Sequence, residues 1–172
     1  MSKILAEVLA ANQEYTIQNK MLKQITLFAE NKPGQLTSAT QILSENGINI
    51  RAFTIVDSKE FGIVRFVVDD ADAAFGIVRF VVDDADAALH HLRTAGFSVS
   101  ETDVIGLEMP DKPGALHEIS RVLSENAINV DYSYCYVNAT PGKAILILQA
   151  SDLTKAVRLL IERGYHLIES SP

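Results

Sequence analysis

The sequence predicts an α+β fold of two ferredoxin-like β-α-β-β-α-β units, each an antiparallel sheet with two helices on one face. The prediction depends on a motif that occurs twice. Residues 31–36 (N-K-P-G-Q-L) lead to residues 44–50 (S-E-N-G-I-N-I), and residues 111–116 (D-K-P-G-A-L) lead to residues 124–130 (S-E-N-A-I-N-V). Each copy indicates a strand, a Pro-Gly turn, an amphipathic helix, a short turn and a second strand. Two copies in 172 residues indicate two small domains rather than one.

The first unit is predicted over residues 21–102, after an appended helical segment at residues 1–20. Alternation of apolar and polar side chains predicts its strands. They are placed at residues 24–29, 48–56, 61–68 and 97–102. The first helix follows the Pro-Gly turn and ends at Asn46-Gly47, since both residues tolerate positive φ. The second helix begins near Asp83, where acidic side chains favour a helix N-terminus, and ends at Gly96.

The second unit is predicted over residues 103–172 with the same order of elements. Its strands are placed at residues 104–109, 128–137, 144–149 and 165–169. Its helices are placed at residues 116–126 and 152–163, the second ended by Gly164. The repeated order supports a duplicated domain.

A second repeat has no differences between its copies. Residues 61–74 and 75–88 both read F-G-I-V-R-F-V-V-D-D-A-D-A-A, which indicates a recent or engineered duplication inside the first unit. Because the repeat length is even, either copy presents the same faces as a strand. We expect the first copy, residues 61–68, to form the third strand, because it keeps the turn after Val56 short. Residues 75–82 would then be an unpaired apolar segment prone to aggregation or strand exchange.

Composition excludes several classes of protein. The net charge is −7 with scattered basic residues, which argues against nucleic-acid binding. No apolar run approaches the ~20 residues of a membrane span. The single cysteine, Cys135, cannot form an internal disulfide, which favours a reducing cytoplasm. No nucleophile-base pairing, dinucleotide fingerprint, phosphate-binding loop or metal-ligand spacing is found, so we expect no catalytic residues, metal or cofactor.

The repeated motif inside β-α-β-β-α-β units resembles the ACT domain, a regulatory amino-acid-binding module, and the whole chain resembles tandem-ACT proteins. The resemblance covers residue 22 to about residue 170. It implies a regulatory binding protein without its own catalytic centre. It also implies association through edge strands and helices, as a homo-oligomer such as a dimer, with ligand sites at interfaces between units.

The candidate site combines a helix N-terminus with an asparagine. We expect each repeat to bring its glycine-opened helix N-terminus close to the asparagine that starts the next strand, an arrangement that suits a small zwitterion. Backbone N–H groups there would hold a carboxylate, and a missing Cβ lets the ligand approach closely. The predicted donors are the amides of Gly34, Gln35 and Leu36, and of Gly114, Ala115 and Leu116.

The ammonium group would be bound at the other predicted positions. It would meet Asn31 or Asp111, with Asn49 or Asn129 reaching from a neighbouring unit. The resemblance implies such roles for Asn31 and Asn49. Some serine-sensing relatives have a histidine where this chain has Ala29 and Met109, so serine is not predicted. Asp111 adds a negative charge, so the two sites should differ in affinity.

Several alternatives stay open at this stage. Asn49 and Asn129 can simply cap backbone groups at a strand start. A row of tyrosines at positions 132, 134 and 136 can line a pocket or an interface, or pack against the helices. The main functional alternative is a ligand-free oligomerisation or regulatory subunit of an amino-acid biosynthetic enzyme such as acetolactate synthase.

Overall fold

The computed structural model describes residues 17–30, 32–57, 75–137 and 140–169, and these contain six strands and four helices. The strands are β1 (Met21–Glu30), β2 (Ile50–Asp57), β3 (Phe75–Val82), β4 (Ser98–Pro110), β5 (Val130–Val137) and β6 (Lys143–Ala150). The helices are α1 (Gln35–Glu45), α2 (Ala85–Thr94), α3 (Ala115–Glu125) and α4 (Leu153–Glu162). The element order confirms the predicted α+β class. No helix in the described ranges is long and apolar enough to span a membrane.

The N-terminal unit comprises residues 23–102. Its strands lie in the order β2-β3-β1, and both pairs are antiparallel. Alternate side chains of these strands point to the helices and form a core that includes Ile25, Leu27 and Phe80. From the helices, Leu43 and Leu92 complete it. Helical spacing of small and apolar residues along α1 and α2 explains why one face of each helix is buried.

The C-terminal unit comprises residues 103–169 together with 17–22. Its strands lie in the order β4-β6-β5 and are again antiparallel. The core contains apolar residues from the sheet and from both helices: Ile105, Leu107, Leu146, Leu148, Ile119, Leu123, Val157 and Leu160. Ile17 belongs to the same core, and Lys20 forms an ion pair with Glu169. Residues 1–16, where most of the predicted appended helix lies, are outside the described residues.

The second copy of the identical repeat forms the third strand. Phe75–Val82 pairs with β1 and with β2, so the prediction that residues 61–68 take this place is wrong. Residues 61–68 themselves lie outside the described residues. The second copy is attached directly to two residues that fix the next helix. Asp83 accepts a hydrogen bond from Asn49 N–H at 2.9 Å, and Asp84 caps α2 by accepting from Ala87 N–H at 2.9 Å.

The predicted strand at residues 165–169 is reduced to one bridge. Leu167 is opposite Leu107, with Glu108 N–H donating to His166 O and Ile168 N–H donating to Gly106 O. The strands predicted at 97–102 and 104–109 are one continuous strand, β4. No glycine or proline separates them, so nothing in the sequence ends the extended chain there.

Candidate functional site

The two Pro-Gly turns have the same backbone conformation. Gly34 has φ 96° and ψ −21°, and Gly114 has φ 90° and ψ −15°. Glycine adopts this left-handed region without the steric cost that a Cβ would add. Among the described residues, a Cβ at either glycine would meet no atom within 4 Å, and no side chain caps either helix. Both helix N-termini are therefore open.

The turns differ from the prediction in the number of available donors. Gln35 N–H donates to Lys32 O and Ala115 N–H donates to Lys112 O, both at 3.3 Å, so these amides close the turns themselves. In the parts of the chain that the structure describes, no backbone carbonyl accepts from Leu36 N–H or Leu116 N–H. These two amides point out of helix starts that carry partial positive charge, which suits an anion.

Apolar surface accompanies the available donors. The side chains of Leu36 and Leu116 are 38% and 51% exposed, so each turn offers a hydrophobic contact next to an available N–H group. Asp111 is exposed, and its backbone N–H donates to Gly142 O at 2.9 Å, which ties the second turn to the β5–β6 hairpin. Asn31, its counterpart in the first repeat, lies outside the described residues.

Asn49 and Asn129 occupy equivalent positions and have equivalent structural bonds. Asn49 exchanges backbone hydrogen bonds with Asp83, through the Asp83 carboxylate and the Asp83 N–H. Asn129 N–H donates to Ser151 Oγ at 3.1 Å, and Ser151 N–H donates to Asn129 O at 2.9 Å. The Asn129 side chain donates to Asp131 at 3.2 Å. Their backbones therefore fix the start of each strand, and both residues remain exposed.

Within one unit, the helix N-terminus and the asparagine lie at opposite ends, so their expected proximity is wrong. Glu30 and Asp57 meet β3 at one end of the sheet, where β1 leads into the Gly34 turn. Asn49 lies at the other end, where Ile50 pairs with Val82. The 11-residue helix α1 separates them by about 16 Å along its axis. The C-terminal unit has the same arrangement. A site that uses both groups needs two units.

Charge distinguishes the two helix starts. The first turn of α1 contains no acidic residue, whereas the first turn of α3 contains Glu118, and Asp111 lies in the preceding turn. An acidic side chain near a helix N-terminus competes with an anionic ligand for the same partial positive charge. The start of α1 is therefore the more favourable place for a carboxylate.

The tyrosine row lies on the face of the sheet that carries no helices. Tyr134 and Tyr136 are opposite Ile147 and Ile145, whereas the core residues Leu146 and Leu148 point to the other face. The alternative that the tyrosines pack against the helices is therefore wrong. Cys135 is on the helix face and exposed.

A charged cluster on the same face was not predicted from the sequence. Glu108 accepts a hydrogen bond from Lys143 Nζ at 2.8 Å and lies 3.7 Å from His166 Nδ1. The hydrogen bond from Lys143, with the charges of Lys143 and His166, lowers the pKa of Glu108 despite partial desolvation. The three residues come from three separate segments, so no local spacing in the sequence indicates the cluster.

Comparisons with known proteins identify the family. A profile of the ACT domain pair matches residues 69–171, and a profile of the ACT domain matches residues 23–87. Protein BT0572 from Bacteroides thetaiotaomicron is similar in structure, with a TM-score of 0.75 and 32% identity over 88% of this chain and 94% of that chain.

Two further solved structures share the fold. The ligand-free regulatory subunit of aspartate kinase from Thermus thermophilus has a TM-score of 0.56 and 16% identity, over 83% of this chain and 91% of that one. The regulatory subunit from Thermus flavus has a TM-score of 0.52 and 17% identity, over 84% and 93%. No curated protein matches. The chain belongs to the ACT domain family and carries a pair of ACT units.

Proposed function

We propose that this chain is a regulatory protein that binds an amino acid and passes its occupancy to its own assembly or to a metabolic enzyme. The observation that carries the proposal is the pair of glycine turns. Each has an N–H group, at Leu36 or Leu116, with no backbone acceptor and no side-chain cap among the described residues. A helix start of this kind binds a carboxylate without a charged side chain. We place the protein in the cytoplasm, without a catalytic centre of its own.

The ligand is proposed to bind between units of two copies of the chain. Within a unit Gly34 and Asn49 lie at opposite ends, so a second copy running in the opposite direction is needed to present its asparagine to the Gly34 turn. The carboxylate would bind the amides of Gly34 and Leu36, and the ammonium would meet Asn31 and Asn49. The absence of acidic residues from the first turn of α1 favours this site over the one at Gly114.

The exposed edge of β2 supports association of two copies. On β2 the described residues form a strand pair only with β3, and Phe53 and Ile55 are 60% and 51% exposed on the helix face. Ser133 and Cys135 occupy the corresponding positions on β5, so this apolar edge is specific to the N-terminal unit. Apolar side chains on an open strand edge favour pairing with another strand.

A ligand-free role as an oligomerisation or regulatory subunit is the second candidate. The structural bonds of Asn49 and Asn129 favour it, because they explain both asparagines without a ligand. The solved relatives named as regulatory subunits of aspartate kinase suggest an enzyme of amino-acid metabolism as partner. Acetolactate synthase stays a further candidate.

Calorimetric titration of the full chain with each of the twenty amino acids separates the two candidates. Gly34→Ala places a Cβ where the ligand would approach, and we expect it to weaken binding at least tenfold. Gly96→Ala is the matched control, because Gly96 also has positive φ (89°) and no described atom lies within 4 Å of its Cβ position. Both variants carry backbone strain of about 1–2 kcal/mol. A folded protein that binds none of the twenty would favour the ligand-free subunit.

A further inference from the structure

The place of the third strand in the N-terminal unit can be filled by two identical segments of the chain. β3 occupies it, between β1 and β2. Residues 61–68 have the same sequence as β3, F-G-I-V-R-F-V-V. We propose that residues 61–68 replace β3 in a second folded state, so that the N-terminal unit exists in two strand-exchanged forms.

The packing energy of the strand cancels between the two forms. In the observed form Val78, Phe80 and Val82 are buried against the helices, with at most 8% of each exposed. Residues 64, 66 and 68 are the same valine, phenylalanine and valine at the same spacing. Since the backbone pairs with β1 and β2 in one register, each buried side chain and ladder hydrogen bond has a counterpart.

The hydrogen bonds at the end of the strand are also retained. Asp83 accepts from Asn49 N–H, and Asp69 follows the first copy at the same distance along the chain. The cap of α2 is Asp84, which stays attached to its helix in either form. Exchange therefore breaks no bond that the first copy and the unchanged α2 cannot restore.

The connecting segments have similar entropic costs in the two forms. In the observed form residues 58–74 connect β2 to β3, and residues 83–84 connect β3 to α2. In the exchanged form residues 58–60 and 69–84 would make these connections. Each form has one short and one long connection, and closure entropy depends only weakly on the length of the long one. The free-energy difference is confined to the two short connections, a three-residue hairpin loop or a two-residue link like Ser151-Asp152.

Exchange would move the long connection from one end of the unit to the other. In the observed form it begins after Asp57, at the end that carries the Gly34 turn. In the exchanged form it would begin at the end that carries Asn49. A ligand that contacts either end would shift the populations, because it would bind the two forms differently. This last consequence depends on the proposed function, whereas the exchange itself does not.

Disulfide trapping in the full-length chain tests the exchange directly, in a Cys135→Ser background. Thr54 is opposite Arg79 in the observed register, so Thr54→Cys with Arg79→Cys reports the observed form. Thr54→Cys with Arg65→Cys reports the exchanged form, because position 65 is equivalent to position 79. Thr54→Cys with Ala71→Cys, which is out of register in both forms, measures random collisions.

We expect the 54–65 disulfide to form at least tenfold faster than the out-of-register 54–71 disulfide, and the 54–79 disulfide to form as well. A 54–65 disulfide that forms no faster than the out-of-register one would overturn the proposal.

Thermal unfolding gives an independent readout. Phe66→Ala/Phe80→Ala removes the buried phenylalanine from both copies and should lower Tm by about 6–20 °C. Phe80→Ala alone leaves an intact first copy, so we expect less than half of that decrease. A decrease of half or more for the single variant would show that the first copy does not replace β3.

Discussion

Gly106 is the position at which one added methyl group should have the clearest cost. A Cβ there would lie 2.6 Å from Leu22 Cδ1 and 3.2 Å from Ile168 Cβ. Leu22 is 8% exposed, so its side chain has little room to turn away, and Ile168 Cβ is fixed by its backbone. The backbone at Gly106 does not need positive φ, so the effect of Gly106→Ala comes from crowding rather than from strain.

The magnitude is set by two opposing effects. Overpacking of a closed interior costs about 1–3 kcal/mol. The loss of conformational freedom in the unfolded chain returns about 0.4–1 kcal/mol. We expect Gly106→Ala to lower the free energy of unfolding by about 1–2 kcal/mol, measured as a lower urea midpoint with an unchanged m-value.

A double-mutant cycle tests the proposed cause. Leu22→Ala removes the crowding methyl group, so Gly106→Ala should cost at least about 0.5 kcal/mol less in that background. Leu160→Ala is the control, because Leu160 packs in the core on the helix face and should be additive with Gly106→Ala. Additivity with Leu22→Ala as well would refute the explanation.

Two other predictions concern caps and charge. Asp84→Ala and Asp152→Ala each remove a cap bond of 2.9 Å, and each should cost about 1 kcal/mol in urea unfolding. Their effects should add, since they cap helices in different units, and a loss below about 0.3 kcal/mol would contradict the capping role. Because Lys143 lowers the pKa of Glu108, this carboxylate stabilises the fold above the ordinary glutamate pKa of 4.5, and the contribution is lost as the pH falls through the lowered value. NMR titration should show that Lys143→Met raises the pKa of Glu108, whereas Lys155→Met leaves it unchanged; equal titration of all three proteins would contradict the assignment.

The sequence by itself determined the family, the order of the elements and the two glycine turns. These are local properties: a strand, a turn and a helix each leave a periodic pattern within a few residues. The helix predicted at 116–126 is α3, Ala115–Glu125, one residue from its expected position. The recurrence of the motif after eighty residues added the weight that a single Pro-Gly turn lacks.

Only the tertiary structure decided which repeat copy forms β3, where Asn49 lies relative to Gly34, and why position 106 is glycine. Two identical segments cannot be distinguished by their own residues, so the choice depends on the residues attached to their C-terminal ends, namely Asp83, Asp84 and the start of α2. The other two outcomes depend on contacts between residues far apart in the chain, such as Leu22 with Gly106. Strand register and close packing arise only when separate segments meet, and no local pattern records them.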